Sequence, residues 1–185
     1  MADEVLSGAR VAFLATEGVE RVELTGPWAA LEGAGATVHL VSPDDGVQTF
    51  DHLDKSDRLP VDVPLADADV ADYDALVLPG GVANPDALRM DDDAVSLVRS
   101  FLDADKLVAA ICHAPWLLVE ADAVRGRRIT SWPSVETDLR NAGAEWVDEQ
   151  VVVDTDDAGQ TLITSRNPDD VPAFGDAIIS ALAEA

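Results

Sequence analysis

Short unbroken apolar runs alternate with longer amphipathic stretches along most of this chain. "VAFLAT" (11–16), "TVHLVSP" (37–43), "ALVLPGG" (75–81) and residues 106–111 each predict a strand buried on both faces. "ERVELTGPWAALEGAG" carries apolar residues near helical spacing, with Gly33 and Gly35 as its stop. Gly26-Pro27 inside it is expected to bend or break that helix. The region 44–73 is polar, rich in aspartate and irregular, with short hairpin strands around "GVQTF" and "PVDV". Residues 85–104 predict a helix, and "APWLLVEAD" predicts another. "RRITSW" predicts a strand, "SVETDLRNAG" a helix with a glycine stop, and "EQVVVDTDDAGQTLITSR" a hairpin. A proline-started helix, about 168 to 183, ends the pattern.

Strands that are continuous apolar runs, alternating with helices, predict an α/β fold: a doubly wound, flavodoxin-like sandwich with a mainly parallel central sheet and helices on both faces. A length of 185 residues predicts one domain over 1–185. Ligands of such sheets bind at the carboxyl ends of the strands. Three segments fall there: Thr16–Glu20, "LPGG" and Cys112-His113.

Charge narrows the partners. The formal net charge is −24, from 36 acidic and 12 basic residues spread over the whole chain. Binding to a nucleic-acid backbone needs the opposite sign. Dispersed acidity of this kind resembles the surface of proteins from extreme halophiles, where salt screens self-repulsion. No apolar run has the length of a membrane span, and the start of the chain has no apolar core of signal-peptide length. The expectation is a cytoplasmic protein with neither a membrane nor a nucleic-acid partner. One cysteine excludes an internal disulfide and a cysteine-based zinc site, and the three histidines lack i, i+4 spacing. No metal and no cofactor are expected.

Ala110-Ile111-Cys112-His113-Ala114 has the layout of a nucleophile elbow, with small residues two before and two after the central one. The elbow would expose the thiol at a strand end and face it toward a helix N-terminus, which lowers a thiol pKa. The competing reading is an inert, buried cysteine. No histidine follows His113, which disfavours papain-like and glutamine-amidotransferase triads. An imidazole serving Cys112 is then His113 itself, or His39 or His52 from loops; His39 fits a plain strand position. Of the acids after the first strand, Glu20 is the candidate to meet Cys112, either as hydrogen-bond donor to the thiolate or as general acid/base. Glu23 and Glu32 are expected on solvated helix faces. Gly80-Gly81 lets backbone N–H groups approach a ligand and, with the N–H of His113, could form an oxyanion hole.

These residues, with "GVERVEL", "ALVLPGGVANPDALR", "AAICHAPWLL", "TSWPSVETDLRNAGAEWVDEQVVVD" and "LITSRNPDDVPAF", resemble the PfpI family of the class I glutamine amidotransferase-like superfamily over nearly the whole chain. The resemblance implies Cys112 as nucleophile, Glu20 as the acid touching the thiol, and Gly80 and Gly81 as the oxyanion-hole turn. It implies His113 as the histidine after the cysteine, oriented in protease-type members by an acid of a neighbouring subunit, for which Asp86 is the match. It further implies a homo-oligomer, dimer or hexamer. Three functions then compete. The first is a glyoxalase or deglycase acting on small reactive carbonyls or modified proteins. The second is a cysteine peptidase or amidase. The third is a non-enzymatic redox-sensing chaperone.

Overall fold

The computed structural model describes residues 5–185. The chain begins with β1 (Arg10–Leu14), a two-residue β2 (Val19–Glu20) and α1 (Arg21–Gly33). β3 (Thr37–Ser42), the hairpin β4 (Gly46–Asp51) and β5 (Asp54–Pro60), and β6 (Val63–Pro64) follow. Next come β7 (Ala75–Leu78), α2 (Ala83–Leu88), α3 (Asp92–Asp103), β8 (Leu107–Ile111) and α4 (Pro115–Glu120). β9 (Arg128–Ile129), α5 (Glu136–Asn141), β10 (Glu145–Trp146), the hairpin β11 (Val151–Thr155) and β12 (Thr161–Ser165), and α6 (Val171–Glu184) complete it.

Seven strands form the central sheet in the order β11-β12-β8-β7-β1-β3-β6. Every neighbouring pair is parallel except β11 with β12. Alternate strand residues feed two separate cores. Ala12, Leu14, Leu76, Leu78, Val108 and Ala110 pack under α3, α4 and α5 with Phe101, Leu117 and Leu139. Val11, Phe13, Val77, Ala109 and Ile111 pack under α1 and α6 with Leu24, Leu31, Phe174 and Ile178. Burial on both faces is why these strands read as unbroken apolar runs, and each large side chain so buried contributes about 1.5–3 kcal/mol. The expected doubly wound α/β sandwich is the observed fold. No helix among the described residues is long and apolar enough to cross a membrane.

Three local expectations need correction. α1 runs unbroken through Pro27. Proline removes only one i→i−4 bond, and the flanking contacts outweigh it: Trp28 packs on Phe13 with ring centroids 5.3 Å apart, and Gly26 lies so close to α6 that a Cβ would run into Val171. The helix expected over 85–104 is two helices, because Asp91 caps a new one, its Oδ1 accepting from the N–H groups of Asp93 (2.9 Å) and Ala94 (3.1 Å). The strand expected in "RRITSW" ends at Ile129, since Trp132 N–H turns to donate to the Cys112 carbonyl at 2.8 Å.

The contact at Gly26 has a measurable consequence. Gly26→Val should lower the unfolding free energy by about 1–3 kcal/mol in urea titration. Gly33→Ala, which meets nothing within 4 Å, should raise it by up to about 1 kcal/mol. Equal effects at the two sites would contradict the close α1–α6 packing.

Candidate active site

β1 is flanked by β3 on one side and β7 on the other, so the chain's path diverges at the carboxyl end of β1. The loops after β1, β7 and β8 meet there, around a cleft of about 390 Å³. Gly18, Glu20, Glu23, Gly81, Cys112 and His113 line it, with Phe50, His52 and Leu53 of the β4–β5 hairpin, Val82, Ala83, Trp132 and Pro168. The three segments singled out from sequence thus share one site.

Cys112 sits one residue past β8 with φ +65°, a left-handed conformation that a side-chain-bearing residue rarely adopts. Its N–H donates to the Ser165 carbonyl (3.1 Å) and its carbonyl accepts from Trp132 N–H (2.8 Å), so two neighbouring segments hold the strained turn. Gly80 must be glycine because its Cα faces this turn. A Cβ there would lie 2.6 Å from Cys112 Cβ and 2.8 Å from the Ile111 carbonyl.

The acid beside the thiol is Glu23. It is 0% exposed, whereas a solvated helix face was expected. The short β2 delays the start of α1 to Arg21 and places Glu23 in its first turn, aimed at the loop after β7. There Glu23 Oε2 accepts from Gly80 N–H (3.0 Å) and Gly81 N–H (3.2 Å). Oε1 is buried without a conventional partner. The Cys112 thiol neighbours the carboxyl, although no conventional hydrogen bond is closed between them. Burial pushes the Glu23 pKa up to about 7, the proximity of the thiol and the two amides opposes the rise, and the charge of Glu20 adds to it.

The thiol is itself driven up, first by burial and then by the Glu23 charge, against stabilising N–H groups of His113 and Gly81. The lowering expected from a helix N-terminus is outweighed, since α4 is only 6 residues long and the sulfur is buried. Burial and mutual repulsion thus disfavour charge on both groups, and a proton moved from sulfur to the Glu23 carboxylate would create a thiolate while removing the charge that opposes it.

Glu20 lines the cleft wall. Its Oε2 accepts from His52 N–H at 3.1 Å and lies 3.9 Å from His52 Nδ1. Gly80 N–H and Gly81 N–H both donate to Glu23, so the expected oxyanion turn holds the acid. His113 Nδ1 is 3.2 Å from Cys112 Sγ, and its Nε2 is 3.3 Å from Ser134 Oγ. Burial lowers the His113 pKa, favouring the neutral ring. Asp86 is exposed on α2 and does not line the cleft. His39 is a strand residue, its Nδ1 3.2 Å from Tyr73 Oη. Buried Asn84, which sequence reasoning missed, accepts from Thr16 N–H (2.8 Å) and donates to the carbonyls of Pro79 (2.9 Å) and Gly80 (3.0 Å), tying the loop after β1 to the Gly80 turn.

The model of the DJ-1/PfpI family matches residues 9–181. The chain belongs to the DJ-1/PfpI family. General stress protein 18 of Bacillus subtilis is 40% identical over 167 residues, covering 90% of this chain and 94% of that protein. Protein/nucleic acid deglycase 2 of Escherichia coli is 40% identical over 165 residues, covering 89% and 92%. Among solved structures, Drosophila melanogaster DJ-1beta superposes with a TM-score of 0.81 at 30% identity, covering 96% of this chain and 91% of that one. The DJ-1/PfpI fold accordingly frames the elbow and cleft described above.

A buried acid with a raised pKa makes stability pH-dependent. Between its ordinary value of 4.5 and its folded value of about 7, folded Glu23 keeps a proton that the unfolded chain has released. Folding stability from this group therefore falls as pH rises through that window, by about 3 kcal/mol in all. Relative to wild type, Glu23→Gln should gain roughly that amount between pH 4 and pH 8 in denaturant titrations; a pH-independent difference would show that Glu23 ionises normally.

Proposed function

We propose that this protein is a cysteine-dependent stress-response enzyme acting on reactive carbonyls, a glutathione-independent glyoxalase or protein deglycase. The observation that carries the reading is the buried Glu23 carboxyl, held by two backbone amides beside the strained Cys112 and poised to titrate near neutrality. That is an acid/base partner for a thiol nucleophile. The family membership and the deglycase name of a relative 40% identical support it.

In the proposed reaction the Cys112 sulfur bonds to the aldehyde carbon of a 2-oxoaldehyde such as methylglyoxal. Glu23 protonates the former carbonyl oxygen, giving a hemithioacetal. The Glu23 carboxylate then removes the proton from the sulfur-bearing carbon and returns it to the adjacent carbon, while the hydroxyl proton passes to the adjacent oxygen through the enediol, leaving a 2-hydroxyacyl thioester. Water attacks that carbonyl, the C–S bond breaks, and the sulfur regains a proton. The sum is one water added to methylglyoxal, giving lactate, with no external oxidant or reductant. Phe50, Leu53, Val82 and Trp132 give the cleft an apolar wall suited to a small carbonyl or to an adduct on a side chain.

One observation favours a second reading. The 3.2 Å approach of His113 Nδ1 to Cys112 Sγ is compatible with a peptidase or amidase in which His113 is the base, oriented by Asp86 of a neighbouring copy. Lactate formation from methylglyoxal, assayed in molar salt, discriminates. It should vanish in Cys112→Ala, fall by about 10²–10⁴-fold in Glu23→Gln, and largely survive in Glu20→Gln. Peptide cleavage that persists in Glu23→Gln but is lost in His113→Ala would establish the second reading. Full activity of Cys112→Ala would refute both.

A further inference from the structure

The sulfur of Cys112 has two neighbours able to exchange a proton with it: the Glu23 carboxyl and His113 Nδ1. Which of them takes the proton depends on the tautomer of His113, and that tautomer is set at the far side of the ring. Nε2 lies 3.3 Å from the hydroxyl of Ser134, in the short helical turn Pro133–Val135. The ring is otherwise enclosed by aromatic faces, Trp132 stacked at 5.7 Å and 22°, and Trp116 tilted at 5.1 Å. Neither face offers Nε2 an in-plane partner, so the Ser134 hydroxyl is its hydrogen-bonding partner within the chain.

We propose that Ser134 is a positioning residue: its hydroxyl donates to His113 Nε2, fixes the Nδ1–H tautomer, and so turns His113 into a hydrogen-bond donor to the Cys112 sulfur. The argument is one of proton accounting. Glu23 Oε1 is buried with no conventional partner, in a carboxyl that neighbours the thiol, so it is the acceptor with an open position. A proton placed between sulfur and Glu23 leaves the sulfur lone pairs facing Nδ1, and they are satisfied only if Nδ1 carries hydrogen. A neutral imidazole with hydrogen on Nδ1 has a lone pair on Nε2, which calls for a donor. Ser134 is exposed, so its hydroxyl can rotate to supply that hydrogen while accepting from water. In this arrangement His113 stabilises the thiolate and cannot act as the base that removes its proton.

The proposal rests on the carbonyl-directed reading of the site, and its test does not depend on turnover. With only three histidines, each imidazole can be followed by long-range ¹H–¹⁵N correlation spectra, His39→Gln and His52→Gln identifying the other two. Wild type at pH 7.5 should show His113 in the Nδ1–H form. Ser134→Ala should shift the ring toward Nε2–H and slow alkylation of Cys112 by iodoacetamide by about two- to tenfold, the worth of one hydrogen bond. Ser134→Thr, which keeps the hydroxyl, should behave as wild type in both. An Nε2–H tautomer in wild type, or tautomer populations unchanged in Ser134→Ala, would overturn the role given to Ser134. The expected tautomers in a protein that forms no lactate from methylglyoxal would uphold Ser134 and refute the carbonyl-directed function instead.

Discussion

The site depends on a carboxyl that is buried without a cation. Glu23 is held by two peptide N–H groups, from Gly80 and Gly81, and by no basic side chain among the described residues. Two amides compensate a buried carboxylate only partly, so its proton affinity rises toward neutrality. That single constraint explains the surrounding sequence. Gly80 is required because a Cβ would collide with the elbow, and Gly81 because its φ is +77°. Asn84 is required to hold back the carbonyls of Pro79 and Gly80 so that the amides face the acid.

The fold supplies what a carboxyl and a thiol need in order to exchange a proton. β1, β7 and β8 are adjacent parallel strands, so the loops at their carboxyl ends lie side by side. The acid comes from the helix after the first, the amides from the turn after the second, and the thiol from the elbow after the third. Because both partners are removed from water, the charge left on one of them is strongly felt by the other. In the proposed reaction, moving a single proton switches the site between a resting thiol with a carboxylate and a reactive thiolate with a carboxylic acid. His113, flanked by Trp116 and Trp132 and favoured in its neutral form by burial, adds a directional contact to the sulfur.

The sequence made the architecture legible because strands covered on both faces cannot hide their pattern: "VAFL", "ALVL" and "LVAAI" have no polar alternation to confuse them. The elbow and the Gly-Gly turn were legible for a similar reason, since few residues tolerate those backbones. The acid that neighbours the thiol, Glu23, lies three residues, about one helical turn, beyond the one singled out from sequence. Glu20 and Glu23 share a helix face in projection, and an acid in a first turn is ordinarily a solvated partner of the helix dipole. What separates them is the two-residue β2, whose pairing with β4 keeps Glu20 in extended backbone and starts the helix after it. That long-range pairing leaves almost no local trace. Ser134 was invisible for a related reason: it lies 21 residues from His113 and meets it only because Trp132 turns back onto the elbow.

The central claim is that Glu23, rather than Glu20, shares the proton of Cys112. Infrared difference spectra between pH 6 and pH 8 read this directly, through the C=O band of a protonated carboxylic acid. The account predicts one such band, lost on raising the pH with a midpoint of about 7, absent from Glu23→Gln and retained in Glu20→Gln. A band that persists in Glu23→Gln and disappears in Glu20→Gln would contradict it.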